Sequence, residues 1–506
     1  MIIVGAYPNF VQGHEPQVSR IAALNNLLTG WLPPGVAIHL LPFYPSCGDG
    51  GFASTSWMDV DPALGSWSDV ETLAARRYLI VDVIFNHVGV EHPLFKQFLE
   101  NPEANSELFH AYPQAPSLES PLSPRGVPVL REWNILGKPW LLWQTFTDVA
   151  VDLRIDHPEI MKMIERQLSF LAQHSIRAVR LDAPAYFGKR PGGPVRYNIE
   201  SYRIARLVEK QVRIAGLEMI AQLDCDAAAR EYFPSNQGYA VPLIDFSFAA
   251  QLALAILSAD VRLLADHLRA TWCLGTPLLR APRTHDGILL KAEDFQTHGL
   301  ALLQRAGAFG IKPRVIGGRP YEFNASLPHL YAAGAQTPTD RDARLHLAVL
   351  TATFAPGIPY LYLPALLGYE PELFFEKEDD PRSLNRRPLV EKVTGIITAS
   401  PHAQSMAALI GQLAALELPP EAPAANNSVH CVGTSGLFVE RRERQVAMLA
   451  NFSNQVALTI PTELAGRSIL SRGLEGNCLE PLGFVILRVN GDFPMHPNPI
   501  FRKLTP

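Results

Sequence analysis

Cysteine is scarce in this chain of 506 residues, and its five cysteines are widely scattered. They form no CxxC pair and no His/Cys cluster with zinc spacing, which argues against a disulfide framework and against a structural metal. The chain also lacks a large excess of charge of one sign. Its 44 basic and 49 acidic residues give a net charge of −5, and neither sign forms a block. The sequence therefore indicates neither nucleic acid nor an anionic membrane as a partner.

The sequence also lacks a segment suited to export or to the membrane. Residues 1–10 have no basic region followed by an apolar one, so no signal peptide is predicted and a cytoplasmic location is expected. One long uncharged stretch, residues 345–369, contains three prolines and a histidine, a poor composition for a lipid-exposed helix. We interpret this stretch as a buried helix followed by a buried strand.

What the chain does contain is a regular alternation of short apolar runs and helical patterns. Most of the runs are rich in Val, Ile and Leu without clean alternation, as expected of strands buried on both faces of a parallel sheet. Eight such runs with intervening helices predict an α/β fold, a (β/α)8 TIM barrel. The runs are Ile2–Ala6, Val36–Phe43, Tyr78–Phe85, Ile176–Leu181, Met219–Leu223, Val241–Phe246, Pro277–Arg280 and Gly357–Tyr362.

Two long interruptions and a change of pattern divide the chain further. Residues 1–87, 157–291 and 337–418 are predicted to form the barrel. Residues 88–156 form a first, loop-rich insertion after the third strand, and residues 292–336 a second insertion after the seventh. Short strand-like runs in residues 424–506 predict a small all-β C-terminal domain.

Polar side chains follow the predicted strands where each strand ends. Because the active sites of such barrels lie at the C-terminal ends of the strands, these side chains should lie together at that end of the barrel. Single residues have structural explanations, such as a turn closed by His87, a carboxylate paired with Arg180 or a helix begun by Asp286. Asp182 is hard to explain in this way, since an unpaired buried carboxylate is costly. The residues concerned are Asp49, Phe52, His87, Arg180, Asp182, His285, Asp286 and Arg386.

Three of these positions resemble the signature regions of the α-amylase superfamily, glycoside hydrolase family 13. They are His87 in Val-Ile-Phe-Asn-His, the segment Arg180-Leu-Asp182, and the pair His285-Asp286, in order and at matching strands. The resemblance covers nearly the whole chain. It implies a TIM-barrel enzyme of carbohydrate metabolism with a retaining mechanism.

Longer motifs resemble the sucrose phosphorylase-like subgroup of that superfamily. They are Leu41-Pro-Phe-Tyr-Pro-Ser, Gly48-Asp-Gly-Gly-Phe52, Thr145-Phe-Thr-Asp-Val-Ala-Val-Asp-Leu, Thr284-His-Asp-Gly287 and Asn385-Arg386. The subgroup implies a glycosyltransferase-type phosphorylase that moves glucose from a small α-glucoside, such as sucrose or glucosylglycerol, to inorganic phosphate. The product would be glucose 1-phosphate. No cofactor and no metal is implied, and the chain is expected to be a monomer or a homodimer.

The resemblance also implies a role for each site residue. Asp182 is the expected nucleophile, forming a covalent β-glucosyl ester, and Arg180 keeps it ionised. Asp286 is expected to stabilise the distorted transition state. The remaining residues are expected to bind the glucose, as follows: hydrogen bonds from His87 and His285, a stacked ring from Phe52, and contacts to the far end of the sugar from Asp49 and Arg386.

The sequence departs from the family at the general acid and base. The family has Glu at the end of the fifth strand, where this chain has Gln222. An amide cannot donate a titratable proton, and loss of a general acid costs about 10²–10⁴-fold. Either a Glu→Gln change has been introduced to inactivate the enzyme, which we favour because the site is otherwise complete, or the natural chain lacks this acid. Asp224 and Asp226 lie at least about 6–7 Å further along a strand, too far to substitute without a bulge.

The part of the site that binds the acceptor, near the mouth of the pocket, needs cationic hydrogen-bond donors if the acceptor is phosphate. Arg319 and Tyr321 in the second insertion resemble the subgroup's acceptor loop, and Arg125 and Arg131 in the first insertion are further candidates. The segment Lys189–Gly193 after the fourth strand is another. Three functions stay open at this point: a phosphorylase, a transglucosylase or hydrolase using the same site, and a non-catalytic sugar-binding protein if Gln222 is natural.

Overall fold

The protein is described from a computed structural model. The model describes residues 1–11, 17–113, 122–123, 128–225, 227–233, 241–272, 276–289, 313–316, 319–324, 327–333, 335–368, 382, 386, 398–419, 427–460 and 468–489.

A closed barrel of eight parallel strands forms the centre of the molecule. Each strand pairs with its neighbours in chain order and the eighth pairs with the first, which closes the barrel. The strands are β1 (Ile3–Ala6), β2 (Ala37–Leu40), β3 (Leu79–Val83), β4 (Ala178–Leu181), β5 (Glu218–Asp224), β6 (Leu243–Ile244), β7 (Leu278–Arg280) and β8 (Ile358–Tyr362). The predicted (β/α)8 barrel is confirmed.

Burial on both faces explains why these runs do not alternate. One face of the strands fills the barrel interior with a layer that includes Ile3, Ile80 and Ile220. The other face packs against the surrounding helices in the main core. Each predicted run overlaps an observed strand, but β6 has only two residues where six were predicted.

Helices follow most of the barrel strands. Pro338–Phe354 begins with a capping box between Thr337 and Asp340 and is buried along its second half. It leads into β8, so the interpretation of residues 345–369 as a helix followed by a buried strand is confirmed. No helix in the described part of the chain is long and apolar enough to cross a membrane.

The helices within the described residues are Arg20–Trp31, Trp67–Ala74, Pro93–Glu100, Pro102–Asn105, Pro158–Gln173, Ile199–Ile214, Ala227–Tyr232, Phe246–Ser258, Arg262–Trp272, Leu327–Ala332, Pro338–Phe354, Leu363–Leu366 and Pro401–Ala415.

Smaller antiparallel sheets lie outside the barrel. After β3, His87–Gly89 pairs with Ala150–Asp152, and a separate sheet contains Ala111–Tyr112, Leu130–Ile135 and Lys138–Trp143. After β7, Ile288–Leu289, Pro313–Ile316 and Arg319–Phe323 form a three-stranded sheet. The C-terminal strands form one antiparallel sheet, as predicted: Asn427–Val432, Gly436–Arg441, Val446–Asn451, Leu458–Thr459, Ser468–Glu475 and Cys478–Arg488.

Candidate active site

One cavity opens at the C-terminal end of the barrel. Nine of the residues singled out in the sequence line it together: Asp49, Phe52, His87, Arg180, Asp182, Gln222, His285, Asp286 and Arg386. They come from the ends of six strands and from the loops beyond them. The barrel therefore brings together residues that are up to 337 positions apart in the chain.

Asp182, directly after β4, lies beside the guanidinium of Arg180. Arg180 Nη1 donates to Asp182 Oδ1 at 3.2 Å and to Asp82 Oδ1 at 2.5 Å. Burial raises the pKa of Asp182 to about 7 in spite of Arg180, and the nearby carboxylates of Asp82 and Asp286 add to the rise. Asp182 is thus a carboxylate whose charge is poorly solvated, which favours its use as a nucleophile at neutral pH.

A buried hydrogen-bond chain supports Arg180 from inside the barrel. His39 Nε2 lies 3.1 Å from Asp82 Oδ2, and His39 Nδ1 lies 3.0 Å from the hydroxyl of Tyr360. Burial alone would raise the pKa of Asp82, but His39 and Arg180 lower it to about 2. Gly5 leaves room for this chain, since a Cβ there would lie 1.9 Å from the Tyr360 hydroxyl oxygen.

Asp286, Arg386 and Asp49 meet at the other end of the cavity. Arg386 Nη2 donates to Asp286 Oδ1 at 3.3 Å, and its Nη1 donates to the backbone oxygen of Asp49 at 2.9 Å. Although burial alone would raise the pKa of Asp286, His285 and nearby guanidinium groups hold it far below its usual value. Gly50 has φ +62°, and a Cβ there would lie 2.3 Å from Arg386 Nη1, so the turn needs glycine. Asp286 is therefore ionised throughout the neutral range.

Aromatic rings and imidazoles line the wall between these two ends. Phe52 stacks on His285 with ring centroids 5.3 Å apart, and the guanidinium carbon of Arg386 lies 5.6 Å from the Phe52 centroid. Burial lowers the pKa of His285 to about 3 and also lowers the pKa of His87, so both imidazoles are neutral at pH 7. Both ring nitrogens of His285 are buried without a hydrogen-bond partner among the described residues. Buried polar atoms of this kind can be satisfied by a polar ligand or by water that enters the cavity.

Gln222 lines the cavity from β5, and the backbone fixes the orientation of its amide. The Ala183 N–H donates to Gln222 Oε1 at 2.9 Å, and only the oxygen end of the amide can accept this bond. Gln222 Nε2 is not among the buried unpaired atoms and has no hydrogen bond to a described residue. The site therefore presents a neutral N–H donor where the family has a titratable acid. The pairing of β5 with β6 shifts register between Ala221 and Asp224, but Asp224 does not line the cavity, and Asp226 lies outside the described residues.

Lys189 is buried beside the site. Its Nζ donates to Asn86 Oδ1 at 2.7 Å and lies 3.1 Å from Asp152 Oδ2, with the side chain fully shielded from solvent. Asn86 Nδ2 in turn lies 3.1 Å from His87 Nδ1. Lys189 therefore connects the first insertion to the turn that carries His87, and its charge is already paired and buried. An acceptor-side role of the segment Lys189–Gly193 stays a prediction.

Lys189→Met is expected to destabilise the chain by about 3–5 kcal/mol, because it leaves the carboxylate of Asp152 buried without its cation. The free energy of unfolding in urea measures this loss. Lys138→Met is the matched control, since Lys138 pairs with Glu103 at the surface and its side chain is 67% exposed. Equal effects of the two substitutions would contradict a structural role for Lys189.

The acceptor-side candidates are less completely described. Arg131 lies in the strand Leu130–Ile135 and does not line the cavity. Arg125 lies outside the described residues, as do the side chains of Arg319 and Tyr321, whose backbone belongs to the strand Arg319–Phe323. Among the described residues, no group of three or more His, Cys, Asp or Glu could hold a metal ion.

Several cavity residues were missed by sequence reasoning. Tyr186 and Phe146 line the cavity, with ring centroids 5.1 Å apart. Arg382 contacts Asp286 at 3.1 Å, and Glu322 pairs with Arg382. The only available signal for Arg382 was its closeness to Arg386 in the chain, and it stands at the end of an acidic stretch that is typical of a solvated loop.

The closed barrel carries an Arg and an Asp at the end of β4 and a His-Asp pair after β7, as the resemblance to the α-amylase superfamily implies. The alpha-amylase catalytic-domain family matches residues 35–220. Over this stretch, less than half of its length, the chain is similar to the α-amylase catalytic domain, and relatives that match it over a longer stretch are phosphorylases.

Those relatives are named phosphorylases. The glucosylglycerate phosphorylase of Allomeiothermus silvanus is 26% identical over 372 residues, covering 69% of this chain and 66% of the relative. The sucrose phosphorylase of Streptococcus mutans is 25% identical over 376 residues, covering 69% of this chain and 75% of the relative. The match thus spans about two thirds of the first relative and three quarters of the second. The crystal structure of sucrose 6F-phosphate phosphorylase from Thermoanaerobacter thermosaccharolyticum has the same fold, with a TM-score of 0.76 at 18% identity, covering 89% of this chain and 94% of that one.

Proposed function

We propose that this protein is a retaining α-glucoside phosphorylase that transfers glucose from a small α-glucoside to phosphate. The observation that carries the proposal is the position of Asp182. It lines a cavity beside Arg180, and the negative charge of Asp286 acts on it. The phosphorylase names of the relatives support the same class of reaction.

The reaction would proceed in two displacements at the same carbon. Asp182 attacks the anomeric carbon while the acceptor leaves with the electrons of the broken C–O bond, giving a β-glucosyl ester of Asp182. A phosphate oxygen then attacks this ester from the opposite face and releases Asp182 as a carboxylate. Arg180, held by Asp82, pairs with the carboxylate in the free and product states.

Asp286 and the groups around it would hold the glucose during both steps. Its low pKa keeps it charged, and a fixed carboxylate near the ring favours the oxocarbenium-like transition state over the neutral sugar. The unpaired nitrogens of His285 would hydrogen-bond to ring hydroxyls. Phe52 lines the cavity beside His285 and Arg386 and would contact the sugar ring.

Gln222 decides which leaving groups this chain can expel. Phosphate leaves as a stable anion and needs no proton, whereas the alkoxide of a sugar or of glycerol needs a general acid. As an introduced Glu→Gln change or as the natural residue, Gln222 would allow exchange of glucose between phosphates. Turnover of disaccharides would be slow.

The acceptor would be a small polyol or sugar. The relatives are named for glucosylglycerate, sucrose and glucosylglycerol. Glucosylglycerate and glucosylglycerol are therefore the first donors to try beside sucrose, each with inorganic phosphate. Arg319, Tyr321 and Arg125 remain proposed acceptor-side residues.

A transglucosylase or hydrolase would use the same nucleophile, and a non-catalytic sugar-binding protein would keep the same cavity. The discriminating test mixes the protein with glucose 1-phosphate and arsenate and follows free glucose, because glucosyl arsenate hydrolyses spontaneously. Release that depends on arsenate is expected of a phosphorylase. Release at the same rate without arsenate would favour a hydrolase, and no release would favour the binding role.

The pH dependence of the first step is also predicted. Asp182 must be ionised to attack, and its pKa is raised to about 7 chiefly by burial, so kcat/KM should rise about tenfold per pH unit below pH 7. Above pH 7 it should stay level to pH 9, because Gln222 has no proton to lose. Glucosyl fluoride is the donor of choice, since neither it nor its leaving group titrates in this range. A profile that is level from pH 5, or bell-shaped, would contradict this assignment.

A further inference from the structure

A second carboxylate, Glu322, lies behind Asp286. Arg382 Nε donates to Glu322 Oε1 at 3.0 Å and Arg382 Nη2 donates to Glu322 Oε2 at 2.9 Å, a two-pronged pair. The third nitrogen of the guanidinium, Arg382 Nη1, lies 3.1 Å from Asp286 Oδ1. One guanidinium is therefore shared between Asp286 and a carboxylate that is completely buried.

The backbone brings Glu322 to this place. Its strand, Arg319–Phe323, pairs antiparallel with Ile288–Leu289, which follows β7 and Asp286 directly. The Gly287 N–H donates to Glu322 Oε1 at 3.1 Å. A Cβ on Gly287 would lie 2.2 Å from Glu322 Cγ, so glycine at this position leaves the space that the carboxylate occupies.

The charges explain what this arrangement does to Asp286. Burial raises the pKa of a carboxyl group, and the cations around Asp286, including Arg382, reverse the effect. If Arg382 paired with Asp286 alone, it would draw that carboxylate away from the sugar and neutralise much of its field. In the structure Glu322 accepts from Nε and Nη2 of Arg382, Asp286 contacts Nη1, and Asp286 lines the cavity.

We propose that Glu322 is a positioning residue for Asp286, acting through Arg382. Because Glu322 lies on the strand that also carries Arg319 and Tyr321, it connects the predicted acceptor strand to the residue that stabilises charge on the glucose. The inference rests on the proposed function, in which Asp286 stabilises the transition state.

The test compares two ligands by calorimetry at one pH. Glucose is neutral, whereas 1-deoxynojirimycin is a glucose-shaped amine that binds as a cation and so reports the field of Asp286. In Glu322→Gln the Kd of the amine should rise about tenfold while the Kd of glucose stays within about twofold, because only a cationic ligand feels the lost field. Arg382→Lys keeps the charge but not the two-pronged geometry. It should likewise raise the Kd of the amine and leave the Kd of glucose nearly unchanged.

The matched control is Glu209→Gln. Glu209 is 1% exposed and pairs with Arg206 at 2.8 Å on the helix Ile199–Ile214, away from the cavity. This substitution removes a buried carboxylate far from Asp286, so the ratio of the two Kd values should not change. Equal weakening of both ligands in the Glu322 and Arg382 variants, or no change in either ligand, would overturn the positioning role. Failure of the unaltered chain to bind glucose and the amine would overturn the proposed function together with it.

Discussion

Asp182→Asn is expected to lower the turnover of glucosyl fluoride by at least about 10⁴-fold, because the substitution removes the nucleophile and retains its shape. Steady-state release of fluoride measures the loss. Glucose binding should persist, since the groups that hold the sugar, Asp286, His285 and Arg386, are unchanged. A loss below about tenfold would show that another residue forms the covalent bond.

The same substitution should not weaken the fold. The pKa of Asp182 is about 7 in the folded chain against an ordinary value of 3.8, so its ionised form opposes folding as the pH rises from 3.8 through 7. A neutral Asn removes that cost, and the melting temperature at pH 8 should equal or exceed that of the unaltered chain. Loss of activity without loss of stability would separate a missing nucleophile from a damaged structure.

Gln222→Glu is expected to raise the phosphorolysis of disaccharide and glucosylglycerol donors by about 10²–10⁴-fold, because it supplies the missing proton donor. The Ala183 N–H, which now donates to Gln222 Oε1, would donate to a Glu carboxylate equally well, so the side chain should keep its place. Rates with each donor and phosphate, measured for both chains side by side, give the ratio directly.

The internal control is a donor that needs no acid. Glucosyl fluoride and glucose 1-phosphate should be turned over at similar rates by both forms, within about tenfold. If Gln222→Glu raised all donors equally, its effect would be on folding or sugar binding. If it raised none, the general acid would lie elsewhere in the chain.

The barrel could be predicted from the sequence because parallel strands that are buried on both faces appear as unbroken apolar runs. Eight unbroken apolar runs with helical patterns between them allow few other folds, and the uncharged stretch at residues 345–369 was interpreted correctly from its prolines and its histidine. The lengths of the strands were harder to predict from the sequence. β6 was predicted over Val241–Phe246 and is shorter because Asp245 caps the following helix and accepts from His267 and Arg280.

The site was predictable where a strand fixes the position of a residue. Asp182, His87 and Asp286 stand at or just after strand ends, so the barrel geometry alone brings them together. Glu322 and Arg382 were not predicted, because they meet through an antiparallel pairing and a long-range ion pair that leave no periodic pattern. The pairing of Lys189 was not predicted for a similar reason, since its partner Asp152 lies in the first insertion, 37 residues earlier in the chain (189 − 152 = 37).

The most direct test of the account is to identify the covalent bond itself. A fluorinated glucosyl fluoride, whose glucosyl-enzyme turns over slowly, needs no general acid and therefore suits a chain with Gln222. Mass spectrometry of the intact protein and of its peptides should show one added fluoroglucosyl group, on the peptide that contains Asp182, and none in Asp182→Asn. A label on any other carboxylate, or no label while glucosyl fluoride is turned over, would contradict a retaining mechanism through Asp182.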